Sequence, residues 1–346
     1  MNTETFFKYS DGPKIVAEIS ANHDGSLGQA LDLVHAAAES GADAVKLQTF
    51  LPETMTLDTD REEFVIKDPN NIWNGYRLFD LYRKAFTPWE WHEEIFSLAN
   101  ELGMLAFSSA FDKSSIDFLE SIGTPFYKVA SFECVDLPLI RSIAETGKPM
   151  IISTGMASIT EISVAVDEAM KSGCSNLTLL KCTSSYPAKN TDSNLRAIPV
   201  MSSTFGVPVG LSDHTTGIGA AIGAVALGAV MIEKHIKLEA DSNSLDAKFS
   251  LPPTEFKRMS SECKNVFESL GSERIGPTSS ELSSRTRRRS LYFSKSLSKG
   301  DVVTPAHVQS VRPGFGLSTE HLDHVIGMTV SRDCSIGDPV SWEVFK

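Results

Sequence analysis

The sequence predicts an α/β protein: a closed (β/α)8 barrel followed by a small β-rich domain. Three observations lead there. Eight short apolar segments alternate with helical stretches and end near residue 260. No GxGxxG follows the first of them, as an open dinucleotide-binding sheet would have. From Leu291 the pattern changes to short alternating strands and glycine turns with no long helix. Eight βα units over this length point to a closed parallel barrel.

The elements follow in order. Lys14–Ser20 (KIVAEIS) has the unbroken apolar character of a strand covered on both faces, and the amphipathic helix after it closes at Gly41. Ala44–Phe50 is the second strand. Residues 51–88 break the rhythm: the segment is charged, aromatic and long for a connection, which reads as a folded lid. The alternation resumes with a helix at WEWHEEIFSLANELG, a strand at Met104–Ala110, a helix at KSSIDFLESIG and a strand at Phe126–Ser131. LPLIRSIAETG leads to the strand Pro149–Gly155. Ser158 and Glu161 have capping-box spacing at the head of the next helix, which precedes the strand Leu177–Thr183. Val207–Ser212 and Val230–His235 are the last strands, with a Gly/Ala/Val helix between them. One more helix completes a catalytic domain over residues 1–275; a Ser/Arg-rich linker spans 276–290 and the small domain 291–346. The N-terminal MNTETFFKYSDG reads as a polar lead-in.

Composition narrows the class. The chain of 346 residues is 41% hydrophobic and 22% charged, ordinary for a globular protein. A net charge of −12 argues against a general nucleic-acid or anionic-membrane surface. A small anionic substrate is compatible, because a few local cations outweigh distant screened charge. The five cysteines are widely spaced with no CxxC, which suits reduced thiols in the cytoplasm, and neither a signal-peptide core nor a membrane-length apolar run is present.

In a parallel barrel the working face is the C-terminal one, so the strand ends name the candidates. They are Glu18 with Asn22 and His23; Lys46 and Gln48; Ser108 and Ser109; Lys128, Ser131 and Glu133; Ser153 and Thr154; Thr183, Ser184 and Tyr186; Ser212, Asp213 and His214; and Glu233, Lys234 and His235. Together they supply the cations, hydroxyls and carboxylates needed to hold a phosphate and manage protons. Lys46 and Lys128 stand out, since a lysine inside an apolar strand is costly without a partner anion. A Schiff-base role for either is the competing chemistry. His214 and His235 close successive strands; one alone would be a strand cap, but two neutral imidazoles on rigid neighbouring strands suit a divalent metal.

IVAEISANHDGSLGQALDLVHAAAESGADAVKLQTF, STGMAS, LLKCTSSYP, VGLSDHTTGIG, ALGAVMIEKHI and SVRPGFG, in that order, resemble the sialic acid (nonulosonic acid) synthase family. The resemblance implies a TIM barrel joined to an antifreeze-like (SAF) domain, working as a domain-swapped homodimer with Mn or Mg. It implies condensation of phosphoenolpyruvate with an N-acetylated amino sugar. His214 and His235 would hold the metal, with Asp246 near its water. Lys46, Lys128, Ser131, Ser153, Ser184 and Ser212 would surround phosphoenolpyruvate, and Glu133 would flank the reacting carbons. Glu18 and Gln48 would face the sugar, and Arg312 would reach its acetamido group from the partner's small domain. The family's GPDH-like text after the second histidine is SNSLDAKFSL here, and its STPF is SSAF at Ser108 to Phe111. That loop, with the lid text, is similar to the pseudaminic acid synthase branch and implies 2,4-diacetamido-2,4,6-trideoxy-altropyranose as the sugar. The alternatives are N-acetylmannosamine and a diacetamido mannose-type sugar.

Overall fold

Eight parallel strands close on themselves in the first of two units, Met1–Gly271 and Ser272–Lys346. The computed structural model describes residues 2–69, 71–239 and 242–346. The strands are β1 (Lys14–Glu18), β2 (Ala44–Thr49), β3 (Leu105–Ala110), β4 (Tyr127–Val129), β5 (Met150–Ser153), β6 (Leu177–Cys182), β7 (Val209–Asp213) and β8 (Met231–His235). They pair in chain order, and β1 closes the ring against β8 with Glu18 opposite His235. Helices fill the connections, as expected for right-handed βαβ crossovers. Ser158 caps the helix Ile159–Lys171 in a complete capping box with Glu161.

Alternation along each strand decides what the barrel holds. Val45, Leu47, Leu179 and Leu211 belong to the core packed under the helices. Val16, Ala44, Phe107, Phe126, Ile151, Leu180 and Met231 form a second, interior core. Two residues further along the same inward rows stand Glu18, Lys46, Ser109, Lys128, Ser153, Cys182 and Glu233. The interior is therefore apolar at its floor and charged at its mouth. At Gly210 any Cβ would lie 2.5 Å from the Met231 carbonyl oxygen, so only glycine lets β7 pack this closely.

The N-terminal segment, which reads as a polar lead-in, instead plugs the floor. Helix Thr3–Phe6 inserts Phe6 against Phe126, ring centroids 5.0 Å apart, and Phe126 lies 4.3 Å from Phe107. The Tyr9 hydroxyl bonds Thr178 at 2.8 Å. Burying a phenylalanine side chain contributes about 2 to 3 kcal/mol, enough to override a polar local sequence.

The lid is folded. It carries short helices at Pro52–Met55 and Leu78–Ala85, and Arg77 ties it together through ion pairs with Asp58, with Asp60 at 3.1 Å and with Asp80 at 3.4 Å. Asn70, inside the expected lid, lies outside the described residues. Where the lid rejoins the barrel, two buried histidines anchor it. His23 accepts from the Gly25 N–H and faces the Thr87 hydroxyl at 3.3 Å. His92 bonds Thr49 at 2.8 Å and the Pro88 carbonyl at 3.3 Å.

The second unit has its own core of Leu291, Phe293, Val303, Val308, Val330 and Val340 under an antiparallel pair, β9 (Ser290–Phe293) and β10 (Val308–Val311). Among the described residues no helix is long and apolar enough to cross a membrane.

Candidate active site

The barrel mouth holds four buried charged side chains within contact of one another. Lys46 pairs with Glu18 and lies 3.4 Å from Glu233 Oε1; Lys128 lies 3.5 Å from Glu233 Oε2. Glu233 also accepts from the Ser212 hydroxyl at 3.0 Å, and Glu18 accepts from the Ser20 N–H at 2.8 Å. Lys46 donates to Ser109 at 3.3 Å. Desolvating such charges is costly, so each would be destabilising without the others. Their protonation separates accordingly. Burial pushes Glu18 up to about 7 despite Lys46. Burial works against ionised Glu233 too, but Lys128 and Lys46 outweigh it and hold that carboxyl at about 2. Burial lowers Lys128, with Glu233 opposing, whereas Lys46 is raised because Glu18 and Glu233 outweigh burial.

Beside this cluster the strand-end loops supply hydroxyls. Ser184 donates to Ser131 at 2.7 Å, and Ser153 Oγ is buried without a hydrogen-bond partner. Gly155 adopts φ +48°, and a Cβ there would meet Ser131 and Ser184 at 2.6 Å. Glycine keeps this hydroxyl-lined cradle open. Glu133 follows β4 in a short 3-10 turn; burial raises its carboxyl, and its Oε2 has no hydrogen-bond partner.

His214 and His235 converge, their ring centroids 5.4 Å apart. His214 donates from Nδ1 to the Thr183 carbonyl at 3.1 Å, which leaves the lone pair on Nε2, and Cys182 Sγ lies 3.8 Å from that Nδ1. A backbone acceptor that fixes the ring and tautomer is the usual support of a metal-binding histidine. His235 is buried and kept neutral by burial and by nearby His214 and lysines; among the described residues its Nδ1 has no hydrogen-bond partner, with Asp246 Oδ2 at 3.7 Å. Burial also raises Asp246. Two converging imidazoles, one fixed by a backbone carbonyl and one with a nitrogen unpartnered among the described residues, fit a divalent cation. Among the described residues no group of three or more His, Cys, Asp and Glu side chains is disposed to hold one.

The structure brings together Glu18, Lys46, Ser109, Lys128, Ser153, Ser212 and the two histidines at one mouth, with Ser131, Glu133, Ser184, Tyr186 and Asp246 on the loops around it. Gln48 bonds Ser20 at 2.9 Å, one step from Glu18. Arg312 belongs to the second unit, where it is exposed just past β10. Sequence reasoning left three contributors without a role. Glu233 was visible as a strand end, but its sharing between two lysines depends on cross-strand geometry. Phe249 lines the histidine pair and Trp73 packs behind it, both from distant segments, and only the aromatic content of the lid pointed that way.

A model described as the NeuB family matches residues 33–275, and a SAF domain model matches residues 288–346. Over 332 residues the chain is 42% identical to the pseudaminic acid synthase of Campylobacter jejuni subsp. jejuni serotype O:23/36 (strain 81-176), covering 96% of each. It is 36% identical over 335 residues to the N,N'-diacetyllegionaminic acid synthase of Legionella pneumophila, covering 95% of this chain and 93% of the relative. Among solved structures it resembles the N-acetylneuraminic acid (sialic acid) synthetase of Leptospira borgpetersenii serovar Hardjo-bovis, solved with citrate. The TM-score is 0.70 at 30% identity, covering 79% of this chain and 90% of that one. A barrel whose mouth is built in this way, a small second unit and matches across both place the protein in one lineage: the chain belongs to the NeuB family.

Proposed function

We propose that the chain condenses phosphoenolpyruvate with 2,4-diacetamido-2,4,6-trideoxy-β-L-altropyranose and water, giving pseudaminic acid and phosphate. The observation that carries this is the charge cluster of Lys46, Lys128, Glu18 and Glu233 set beside two converging imidazoles. Burial raises Glu18 to about 7, so as it takes up a proton two lysines are left facing one carboxylate, and a phosphorylated carboxylate would neutralise the charge this leaves at the mouth. The identity to pseudaminic acid synthases supports this choice of sugar.

Lys46 and Lys128 hold the two anionic groups of phosphoenolpyruvate, and the cradle of Ser131, Ser184 and Gly155 receives phosphate oxygens through hydroxyl donors. C3 of phosphoenolpyruvate bonds to the carbonyl carbon of the open-chain sugar, leaving positive charge at C2. Glu133, half-buried and with one oxygen unpartnered among the described residues, would face that charge. Water adds at C2, Asp246 takes one of its protons and passes it to the alkoxide formed on the sugar's former carbonyl oxygen, and the second departs with phosphate as C–O cleavage leaves the C2 ketone. A divalent metal such as Mn or Mg, held by His214 and His235, would supply Lewis-acid polarisation of the sugar's carbonyl oxygen. The working form is a homodimer in which Arg312 of one copy serves the other copy's mouth.

The test is phosphate release from phosphoenolpyruvate with Mn present, offering the diacetamido altrose, the diacetamido mannose-type sugar and N-acetylmannosamine in parallel. Turnover with the altrose sugar alone is the expected result. Turnover only with one of the others overturns the sugar and keeps the chemistry; release with none overturns the proposal.

A further inference from the structure

Trp73 is the point at which the lid meets the mouth. Its indole Nε1 donates to the Leu245 carbonyl at 3.2 Å, one residue before Asp246. Its ring lies 5.6 Å from Tyr186 and 6.4 Å from Phe249. Those two rings border the histidine pair, Tyr186 at 4.6 Å from His214 and Phe249 at 4.7 Å from His235. Three segments remote in sequence thus build one aromatic wall beside the imidazoles. Phe249 is buried at its base, while Trp73 and Tyr186 keep part of their surface exposed.

The charge chemistry of the mouth has no use for an indole. The polar end of Trp73 is already engaged by Leu245, so what the residue offers a ligand is ring surface. Ring surface favours methyl groups and gains nothing from hydroxyls, which lose water without finding a partner. The diacetamido altrose presents a C6 methyl and two acetamido methyls. N-acetylmannosamine presents one acetamido methyl, with hydroxyls in the other places. We infer that Trp73 is a specificity-determining residue that selects deoxygenated, doubly acetamido sugars over hydroxylated ones. By its bond to Leu245 it also ties the docked lid to the position of Asp246. This rests on the sugar proposed above.

The test compares wild type, Trp73→Ala and Trp73→Phe, reading kcat/KM for the diacetamido altrose and for N-acetylmannosamine. Where the latter is not turned over, its inhibition constant is read instead. Trp73→Ala is expected to lower the preference for the altrose sugar about fifteenfold, the worth of two buried methyl groups, with the KM for phosphoenolpyruvate unchanged. Trp73→Phe, which keeps a ring but no N–H, is expected to retain most of that preference and to lower kcat. Equal losses for both sugars in Trp73→Ala, or an unchanged preference, refute the specificity role alone. Wild-type protein that does not use the altrose sugar refutes the proposed substrate, and this inference falls with it.

Discussion

The floor and the mouth of the barrel are built by the same eight strands and differ in almost every physical respect. At the floor, Phe6, Phe107 and Phe126 fill the interior with rings that need no partners. At the mouth, two residues on, Lys46, Lys128, Glu18 and Glu233 are just as buried and need each other. The floor stabilises the fold, whereas the mouth spends stability to hold charge where an anion will arrive. Stability and function are therefore separable along one strand, by a step of two residues.

Three measurements can break or sharpen that contrast. The largest effect is expected at the mouth. Lys128→Met should lower kcat/KM for phosphoenolpyruvate about a thousandfold, or about 4 kcal/mol, and should also lower thermal stability, because buried Glu233 is left with Lys46 as its remaining cation. Steady-state phosphate release and a melting curve check both halves. Mixing this variant with Arg312→Ala extends the test to the dimer. Random reassortment leaves one intact site in half the dimers, so about a quarter of wild-type activity should return if Arg312 acts in trans. No recovery would remove that role.

The floor should lose stability and keep its activity. Phe126→Ala should cost about 3 kcal/mol of stability, since the hole it leaves is lined by rings that collapse only partly. Activity per folded molecule should stay near wild type. Urea unfolding beside active-site titration would show it, and a catalytic loss as large as that of Lys128→Met would end the separation.

The smallest effect is in pH dependence, where the two kinds of buried site have opposite signs. His23 and His92 are lowered to about 4 by burial, so their contribution is full above pH 6.5 and is lost as pH falls towards 4. Between pH 6.5 and 5 the loss is about 2 kcal/mol per ring. Glu18, raised to about 7, contributes fully below pH 4.5 and loses that contribution as pH rises through 7. Relative to wild type, His92→Gln should therefore flatten the acid side of the stability profile and Glu18→Gln the neutral side. Urea midpoints at pH 5, 6 and 7 test this; parallel profiles would refute both assignments.

Much of this was legible from the sequence, because a barrel strand declares itself by apolar content and its chemistry gathers at one end. The expected strand Phe126–Ser131 is only Tyr127–Val129 in the structure, because the chain bends there to carry Ser131 and Glu133 to the mouth. The same trimming occurs at Pro149–Gly155, where Gly155 turns to open the hydroxyl cradle. What was not legible depends on contacts between remote segments. Phe6 sits in a polar stretch, and nothing local says that the barrel floor is its destination. Glu233 reads like any strand-end acid until its cross-strand lysines are in place. Trp73 lies in a segment with no period, and its worth appears only against Tyr186 and Phe249.

The Phe6 plug has a practical consequence. Because that ring is seated among the first residues of the strands, the N-terminal segment is fixed at the end of the barrel opposite the substrate entrance. A protein tethered to a bead or sensor chip through that segment would present its entrance to the bulk solution. The plug is thus a ready-made orientation device for immobilised synthesis.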